Sequence, residues 1–492
     1  MVQVTTSENV DVTATDPGGL FANQTFTVTV PNRAPVAGEP IEDIEVVVGE
    51  VAQADVSSNF SDPDGDALSY TATPSDAGVA TASVSGSAVT VTGVSLGTAN
   101  ARVTATDPGG LSAVHVFTVT VRLTDRQVLE ILYDELGGDG WRNNTNWLTD
   151  APLEEWYGVG TDADGRVDTL HLEENRLAAG IPSELGNLSN LRYLSLDGNS
   201  LTGKIPPELG DLSNLEQLHL QYNRLTGGIP PELGDLSNLR GLVLYGNRLT
   251  GEIPPELGDL SNLEQLHLEG NLASRLTGGI PSELGNLSNL RYLSLDGNSL
   301  TGKIPPELGD LSNLEQLHLH YNRLTGGIPP ELGNLSNLEQ LGLLGNSLTG
   351  GIPPELGNLS NLEVLGLQDN RLTGAIPPEL GELSNLRVLH LHYNRLTGGI
   401  PPELADLSNL EWLTLNYNRL TGEIPSELGD LSNLEFLYLH YNRLTGEIPR
   451  DFLDLSSLRY FYWNDNDGLC APDTGEFDEW LGGLAWDGPR CD

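Results

Sequence analysis

The sequence predicts a chain in two parts: an α/β solenoid of short coils with a parallel concave β-sheet, preceded by all-β sandwich modules. Two observations carry this. From residue 167 onward one pattern recurs about every 24 residues, keyed to a single asparagine. Before residue 123, β-branched and small residues alternate between Gly, Pro, Asp and Ser turns, as strands do. There VTATDPGGL at 12–20 returns at 103–111, and FTVTV at 26–30 returns at 117–121. Both echoes have an offset of 91 residues, the size of a small β-sandwich.

Composition narrows the function. The 492 residues include 69 acidic and 24 basic ones, for a net charge of −45. Binding phosphate requires clustered Lys and Arg. Nucleic acid is therefore excluded as a partner, and anionic membrane surfaces are disfavoured. No apolar run approaches the ~20 residues of a membrane span, so no membrane insertion is expected. Both cysteines, Cys470 and Cys491, fall in the last 23 residues, which suggests one local disulfide and an oxidising compartment. Met1 is followed by no signal peptide. The chain also starts inside what reads as a module, so it is expected to be an N-terminally truncated piece of a longer protein.

Residues 1–31 read as the last third of one sandwich and 32–122 as a complete second one. NRAPV (32–36), SDPDGDALSYTA (61–72) and TATDPGGL (104–111) resemble the bacterial immunoglobulin-like and cadherin-like modules that stand in tandem on surface proteins. Alternate acidic oxygens at Asp62, Asp64 and Asp66, with Asp107, suit Ca²⁺, and the cadherin-like resemblance implies the same ion. An acidic Asx-type turn is the competing reading. Residues 123–166 are expected to cap the array. Thr124 and Gln127 form a capping box, Val128, Ile131, Leu132 and Leu136 follow helical spacing, and Gly137 ends the helix. Trp141, Trp147 and Trp156 follow, then DADGRV (162–167), a hairpin turn at Asp-Gly.

The array at 167–466 places Asn175, Asn199, Asn223, Asn247 and Asn271 at intervals of 24. After a three-residue insertion (Leu272, Ala273, Ser274) the interval resumes from Asn298 to Asn466, making thirteen coils. Leu191, Leu194 and Leu196 are typical inward positions, and the asparagine is placed to satisfy buried backbone groups. The consensus LxxLxLxxNxLTGxIPxELGxLSN closely resembles the plant-type leucine-rich repeat, which implies an extracellular, horseshoe-like solenoid without a cofactor requirement. Phe461 and Trp463 replace inward leucines at the last strand. Residues 467–492 then close the end with Phe477, Trp480, Leu484, Trp486 and a Cys470–Cys491 bridge. Plant relatives usually carry paired cysteines in the N-terminal cap as well. This chain has none there, so the resemblance is to a bacterial-style version of the family.

Function is expected at the positions six, four and two residues before each asparagine, which face outward on the concave sheet. Trp412, Phe436, Tyr438, Tyr460 and Tyr462, with His440, gather on three neighbouring strands and suit a protein or polysaccharide ligand. Glu173, Asp197, Glu269 and Asp296 make the other end acidic. His318 and His320, with Asp296 beside them, form a candidate transition-metal set; His390 and His392 form a weaker one. The pair at 318 and 320 rests on one replacement, because residues 180–234 and 279–333 differ only at Gln221 and His320. No nucleophile–base arrangement or phosphate-binding glycine loop is present, so the expectation is a monomeric, non-catalytic recognition or adhesion protein, secreted or on a cell surface. The alternative is a structural role in which the LTG threonines, from Thr202 to Thr445, match an ordered, ice-like surface.

Overall fold

The computed structural model describes residues 5–270 and 275–491, and the chain divides into two compact units, residues 1–128 and 129–492. The first unit consists of small sheets. Thr5–Thr15 pairs antiparallel with Phe21–Pro31. A four-stranded sheet runs in the order Ile44–Val47, Ser112–Arg122, Gly97–Thr106, Ser69–Pro74. A three-stranded sheet runs Val51–Asp55, Ala88–Gly93, Ala80–Ser85. Strand alternation explains the core: Val103, Phe117 and Val119 from the larger sheet join Ala80, Val89 and Val91 from the smaller one in a single buried cluster. The echoed sequence does not have one environment. FTVTV at 117–121 buries its apolar side chains, whereas at 26–30 Phe26, Val28 and Val30 are 48%, 42% and 52% exposed.

The repeat array begins behind a capped helix. The Thr124 amide donates to Gln127 Oε1 at 2.8 Å and the Gln127 amide to Thr124 Oγ1 at 3.2 Å, closing the capping box of the helix Asp125–Glu135. Leu129, Leu132 and Leu136 are buried. The tryptophans fill the end of the array, with ring centroids 4.8 Å apart for Trp141–Trp147 and 5.1 Å for Trp147–Trp156. The Asp-Gly turn then joins Val159–Thr161 antiparallel to Val167–His171.

From there a single sheet of 15 strands extends to Ala485–Asp487, thirteen of them supplied by the coils and one by each end. The coil strands are parallel and paired residue for residue, as in Leu293↔Leu317↔Leu341. Each such leucine is fully buried or within 1% of it, a contribution of about 1.5–3 kcal/mol per side chain. The asparagines tie successive coils. Asn322 Nδ2 donates to the Leu295 carbonyl of the preceding coil at 3.0 Å and to its own Leu319 carbonyl at 3.1 Å, while its Oδ1 accepts the Leu300 amide at 3.0 Å. Asn247, Asn394 and Asn442 repeat this arrangement. Asn271 and the insertion Leu272, Ala273, Ser274 lie outside the described residues.

On the opposite side each PELGx segment forms one 3₁₀ turn, as at Pro306–Asp310. Its glycine suits a close approach, since a Cβ on Gly309 would sit 2.4 Å from the Glu331 carbonyl oxygen of the next coil. The turn Pro402–Asp406 alone among the PELGx-type segments carries alanine there, Ala405. The LTG threonines serve the same stacking. Thr226, Thr277, Thr301, Thr325 and Thr373 donate their hydroxyls to glycine carbonyls of the preceding coil at 3.0–3.3 Å. These five hydroxyls are engaged between coils, and nothing in the fold of the described residues supports the ordered-surface alternative. At the far end Phe461 and Trp463 are buried, Trp463 stacks on Trp486 at 5.3 Å, and Cys470 is bonded to Cys491.

The two asparagine types of one coil should behave differently. Asn322→Ala leaves the buried Leu300 amide without its acceptor. It also takes one of two asparagine donors from each of the Leu295 and Leu319 carbonyls, which keep Asn298 and Asn346, so it should cost about 1–3 kcal/mol. Asn337→Ala loses one exposed bond, to the Ser312 carbonyl at 2.8 Å, and should cost about 1 kcal/mol or less. Denaturant unfolding together with amide exchange at Leu300 checks both. Equal effects would contradict the role given to the buried ladder.

Candidate functional site

Alternation within each strand sorts scaffold from surface. With Leu317 and Leu319 buried, Gln316, His318 and His320 stand half-buried on the open face of the sheet. Thirteen such strands at ~4.8 Å spacing produce three columns of freely chosen side chains.

At the C-terminal end the register aligns Trp412, Phe436 and Tyr460, and beside them Thr414, Tyr438 and Tyr462. Trp412 and Phe436 stack with centroids 3.6 Å apart, and Phe436 and Tyr460 stack at 4.8 Å. Tyr438 lies 5.1 Å from Tyr462, and His440 lies 6.0 Å from each of them. The six residues expected to gather do gather. Because Phe436 is stacked on both sides, the group offers mostly ring edges to a ligand, with outer faces left only at Trp412 and Tyr460.

The histidine pairs are engaged by their neighbours. His390 Nδ1 and His392 Nδ1 both meet Thr414 Oγ1, at 2.9 and 2.7 Å. One hydroxyl proton can serve only one ring, so at least one of the two Nδ1 atoms carries its own proton. Burial, then the neighbouring His390, pushes the His392 pKa down to about 4. Burial also lowers His219, His318, His390 and His440, so these rings are held towards the neutral form. His320 Nε2 lies 3.2 Å from Asp296 Oδ2. Burial opposes ionisation of Asp296, but bonds from His320 and Ser294 outweigh it and keep the carboxyl below its ordinary range. The other acidic positions also have close partners. Glu173 and Glu269 face His171 and His267 at 3.7 and 3.5 Å, and Asp197 accepts from Ser195.

Among the described residues no group of three or more His, Cys, Asp or Glu could hold a metal ion. The carboxylates expected to hold calcium are engaged locally. Asp62 Oδ1 accepts the amides of Asp64 and Asp66, Asp64 pairs with Arg33, and Asp107 accepts from Asn32 and the Leu111 amide. SDPDGD builds an Asx-type turn in which Asp62 Oδ2 stays buried without a partner, and the calcium expectation finds no support among the described residues. His318, His320 and Asp296 likewise form no metal set.

Three features of the array were not visible as site features in the sequence. Buried side-chain atoms without partners recur in the column two residues before the asparagine: Gln221 Oε1, Glu269 Oε2, His320 Nδ1, Gln368 Oε1, Asn416 Oδ1 and His440 Nδ1. The middle column is interrupted by Gly342 and Gly366, which leave a notch between His318 and His390. A Cβ at 342 would lie 3.2 Å from the unpartnered His320 Nδ1, and one at 366 would lie 3.3 Å from the unpartnered Gln368 Oε1. An adjoining concavity is lined by Tyr321, Leu344, Gln368, Asp369, His392 and Tyr393. Finally, the residue just before the asparagine is left-handed, with φ of 53–55° at Tyr393, Tyr417 and Tyr441. A non-glycine residue there costs on the order of 1–2 kcal/mol. Recurrence of YN in successive coils, alternating elsewhere with GN, was the available signal.

The repeat model described as "Leucine-rich repeat region" matches residues 266–400, and those described as "Leucine rich repeat" match 165–225, 238–260, 409–431 and 433–455. No curated protein sequence matches the chain. Among solved structures, the complex PEPR1–AtPEP1 is similar at 34% identity and TM-score 0.65, over 74% of this chain and 55% of that one. The plant peptide hormone receptor RGFR1 with RGF2 is similar at 33% and 0.60, over 68% of this chain and 60% of that one. The Arabidopsis receptor kinase HAESA, in complex with the peptide hormone IDA and the co-receptor SERK1, is similar at 33% and 0.59, over 75% and 65%. The chain thus spans less than two thirds of the length of each. The coils, their fifteen-stranded parallel sheet and these matches together make the array a leucine-rich-repeat solenoid whose structural neighbours include plant receptors.

Proposed function

We propose that this chain is a non-catalytic, extracellular recognition protein that binds an extended peptide segment of a protein partner along the open face of its repeat sheet. The β modules, 1–31 and 32–122, act in this reading as immunoglobulin-like or cadherin-like spacers outside the capped array. The observation that carries the reading is the row of unpartnered polar atoms from Gln221 to His440. Buried polar atoms are rarely left unpaired, and this row is rich in acceptors. A peptide main chain laid along the sheet, with its N–H groups and any basic side chains, supplies the missing donors. The glycine notch gives one of its side chains room, and Trp412, Tyr438 and Tyr460 anchor its end.

Aromatic stacks that present mostly edges favour this ligand over a polysaccharide, which would lie flat on exposed ring faces. Likeness to peptide-hormone receptors supports the same class of ligand. Leucine-rich-repeat arrays are typical binding scaffolds, and among the described residues no helix is long and apolar enough to cross a membrane.

Selection of peptides on the whole chain, followed by affinity measurements on variants, tests the site. Trp412→Ala with Tyr460→Ala should weaken a selected peptide by about 2 kcal/mol or more. Gly366→Val fills the notch at a strand position without a positive φ, so it should fold and still lose binding by a similar amount. Peptides that bind all these variants as well as the parent, or a glycan library that outcompetes them, would sink the proposal.

Acid should act through His392. The unfolded chain protonates this ring near 6.5 and the folded one near 4, so folding releases protons between those values. Its stabilising contribution is present above 6.5 and declines as the pH falls towards 4. The thermal midpoint of the parent should therefore drop more steeply over that window than that of His392→Gln. Parallel curves would remove His392 as the titrating group.

A further inference from the structure

A second surface lies beside the open face. The residue before the scaffold asparagine is left-handed at Gly198, Gly246, Gly297 and Gly345, with φ of 64–69°, so the coil itself needs no side chain there. Three successive coils nevertheless carry Tyr393, Tyr417 and Tyr441 at φ of 53–55°. Their rings stack at 4.2 and 4.3 Å, and Tyr393 and Tyr441 remain 49% and 42% exposed. A bulky residue in this backbone region is an outlier, and outliers of this kind concentrate where a structure binds something.

Two residues further along each coil stands an arginine. Arg371, Arg395, Arg419 and Arg443 are all exposed on four successive coils, and none has an acidic partner within 4.0 Å among the described residues. This is unexpected in a chain with a net charge of −45. Arginines of the column before the strand do find carboxylates, as Arg192, Arg291 and Arg387 do with Glu216, Glu315 and Glu411. The column after the asparagine is without them, among the described residues, at Arg176, Arg224, Arg248 and Arg323 as well. What sets these four coils apart is the unbroken run of arginines beside stacked tyrosines. The two columns look onto the same flank: near the start of the array, Glu174 and Tyr222 from the first column line one concavity with Arg176 and Ser200 from the second. Asp369 and Asp465 hold the tyrosine position in the coils on either side, at φ of 52° and 55°. They close the ladder at both ends.

We propose that this tyrosine–arginine ladder is a separate docking surface for a short acidic segment of a protein partner. Guanidinium forks take carboxylates in paired hydrogen bonds, and the stacked phenols add apolar edges and hydroxyls. The four coils span roughly 15 Å at ~4.8 Å each, enough for a few carboxylates. A long polyanion fits poorly, because it would run over Asp369 and Asp465 and against the strongly negative remainder of the chain.

The test uses the whole chain and a fluorescent Glu-rich peptide, with its Gln-for-Glu counterpart and dextran sulfate as comparisons. The Glu-rich peptide should bind, weaken with added salt, and outbind both comparisons. Arg395→Gln with Arg419→Gln should weaken it by about tenfold or more. Tyr417→Gly should weaken it comparably while folding at least as well, since glycine relaxes the left-handed position. Trp412→Ala should leave it unchanged. The assignment is overturned if the arginine or tyrosine variants bind like the parent, if the Gln peptide binds equally, if dextran sulfate displaces the peptide preferentially, or if Trp412→Ala abolishes binding.

Discussion

The array depends on one buried hydrogen-bonding group, the asparagine amide that follows every strand. A coil of 24 residues has to reverse direction sharply behind a three-residue strand, and reversal strands carbonyls and amides away from water. Asn322 closes that gap for two coils at once, accepting from Leu300 and donating to Leu295 and Leu319. The cost of leaving such groups unpaired, about 1–3 kcal/mol each, exceeds anything a single surface residue contributes. Folding is therefore settled by the leucines and asparagines. The residues between them are released from that duty, and this is why the open face can differ from coil to coil while the backbone does not.

That division also explains what could be read in advance. Leucines, asparagines, the PELG glycine and the corner threonines repeat because each has one geometric duty, and repetition makes them legible. The columns facing outward were legible by subtraction, and the aromatic group from Trp412 to Tyr462 came together as strand register requires. The left-handed tyrosines were hidden because the sign of φ has no direct letter; only the exchange of Gly for Tyr, Asp and Glu before the asparagine hints at it. The unpartnered atoms at His320, Gln368 and His440 were hidden because they arise from how neighbouring coils pack. The aspartates of SDPDGD were ambiguous for a related reason. Carboxylates alternating around a tight turn can satisfy the turn's own amides, as Asp62 does for Asp64 and Asp66.

Charge is distributed with more order than the net value of −45 suggests. One column carries Arg–Glu pairs that bridge adjacent coils, exposed and individually weak but consistent with the stacking of the array. On the open face burial holds His219, His318, His390, His392 and His440 towards the neutral form, and the carboxylates lie beside histidine or serine. It therefore offers acceptors without a concentrated field. The arginines that follow the asparagines form a different column, without acidic partners within 4.0 Å among the described residues, and beside the tyrosine ladder they occupy four successive coils. The proposed peptide and the proposed acidic segment thus meet surfaces of opposite demand, separated only by the width of the asparagine turn.

The duplicated blocks show how such chemistry changes without touching the scaffold. Residues 180–234 and 279–333 differ only at Gln221 and His320, and both positions retain one buried unpartnered atom. Their surroundings nevertheless diverge. In the first copy His219 sits beside Val243 on the next strand and its ring reaches Tyr193 and Gln217. In the second copy His318 faces Gly342, and His320 turns to Asp296. The notch therefore belongs to neither block alone. It is created where a copied block meets a coil that brings glycine to the middle column, so a repeat array can acquire a pocket by juxtaposition while every residue that holds the fold stays as it was.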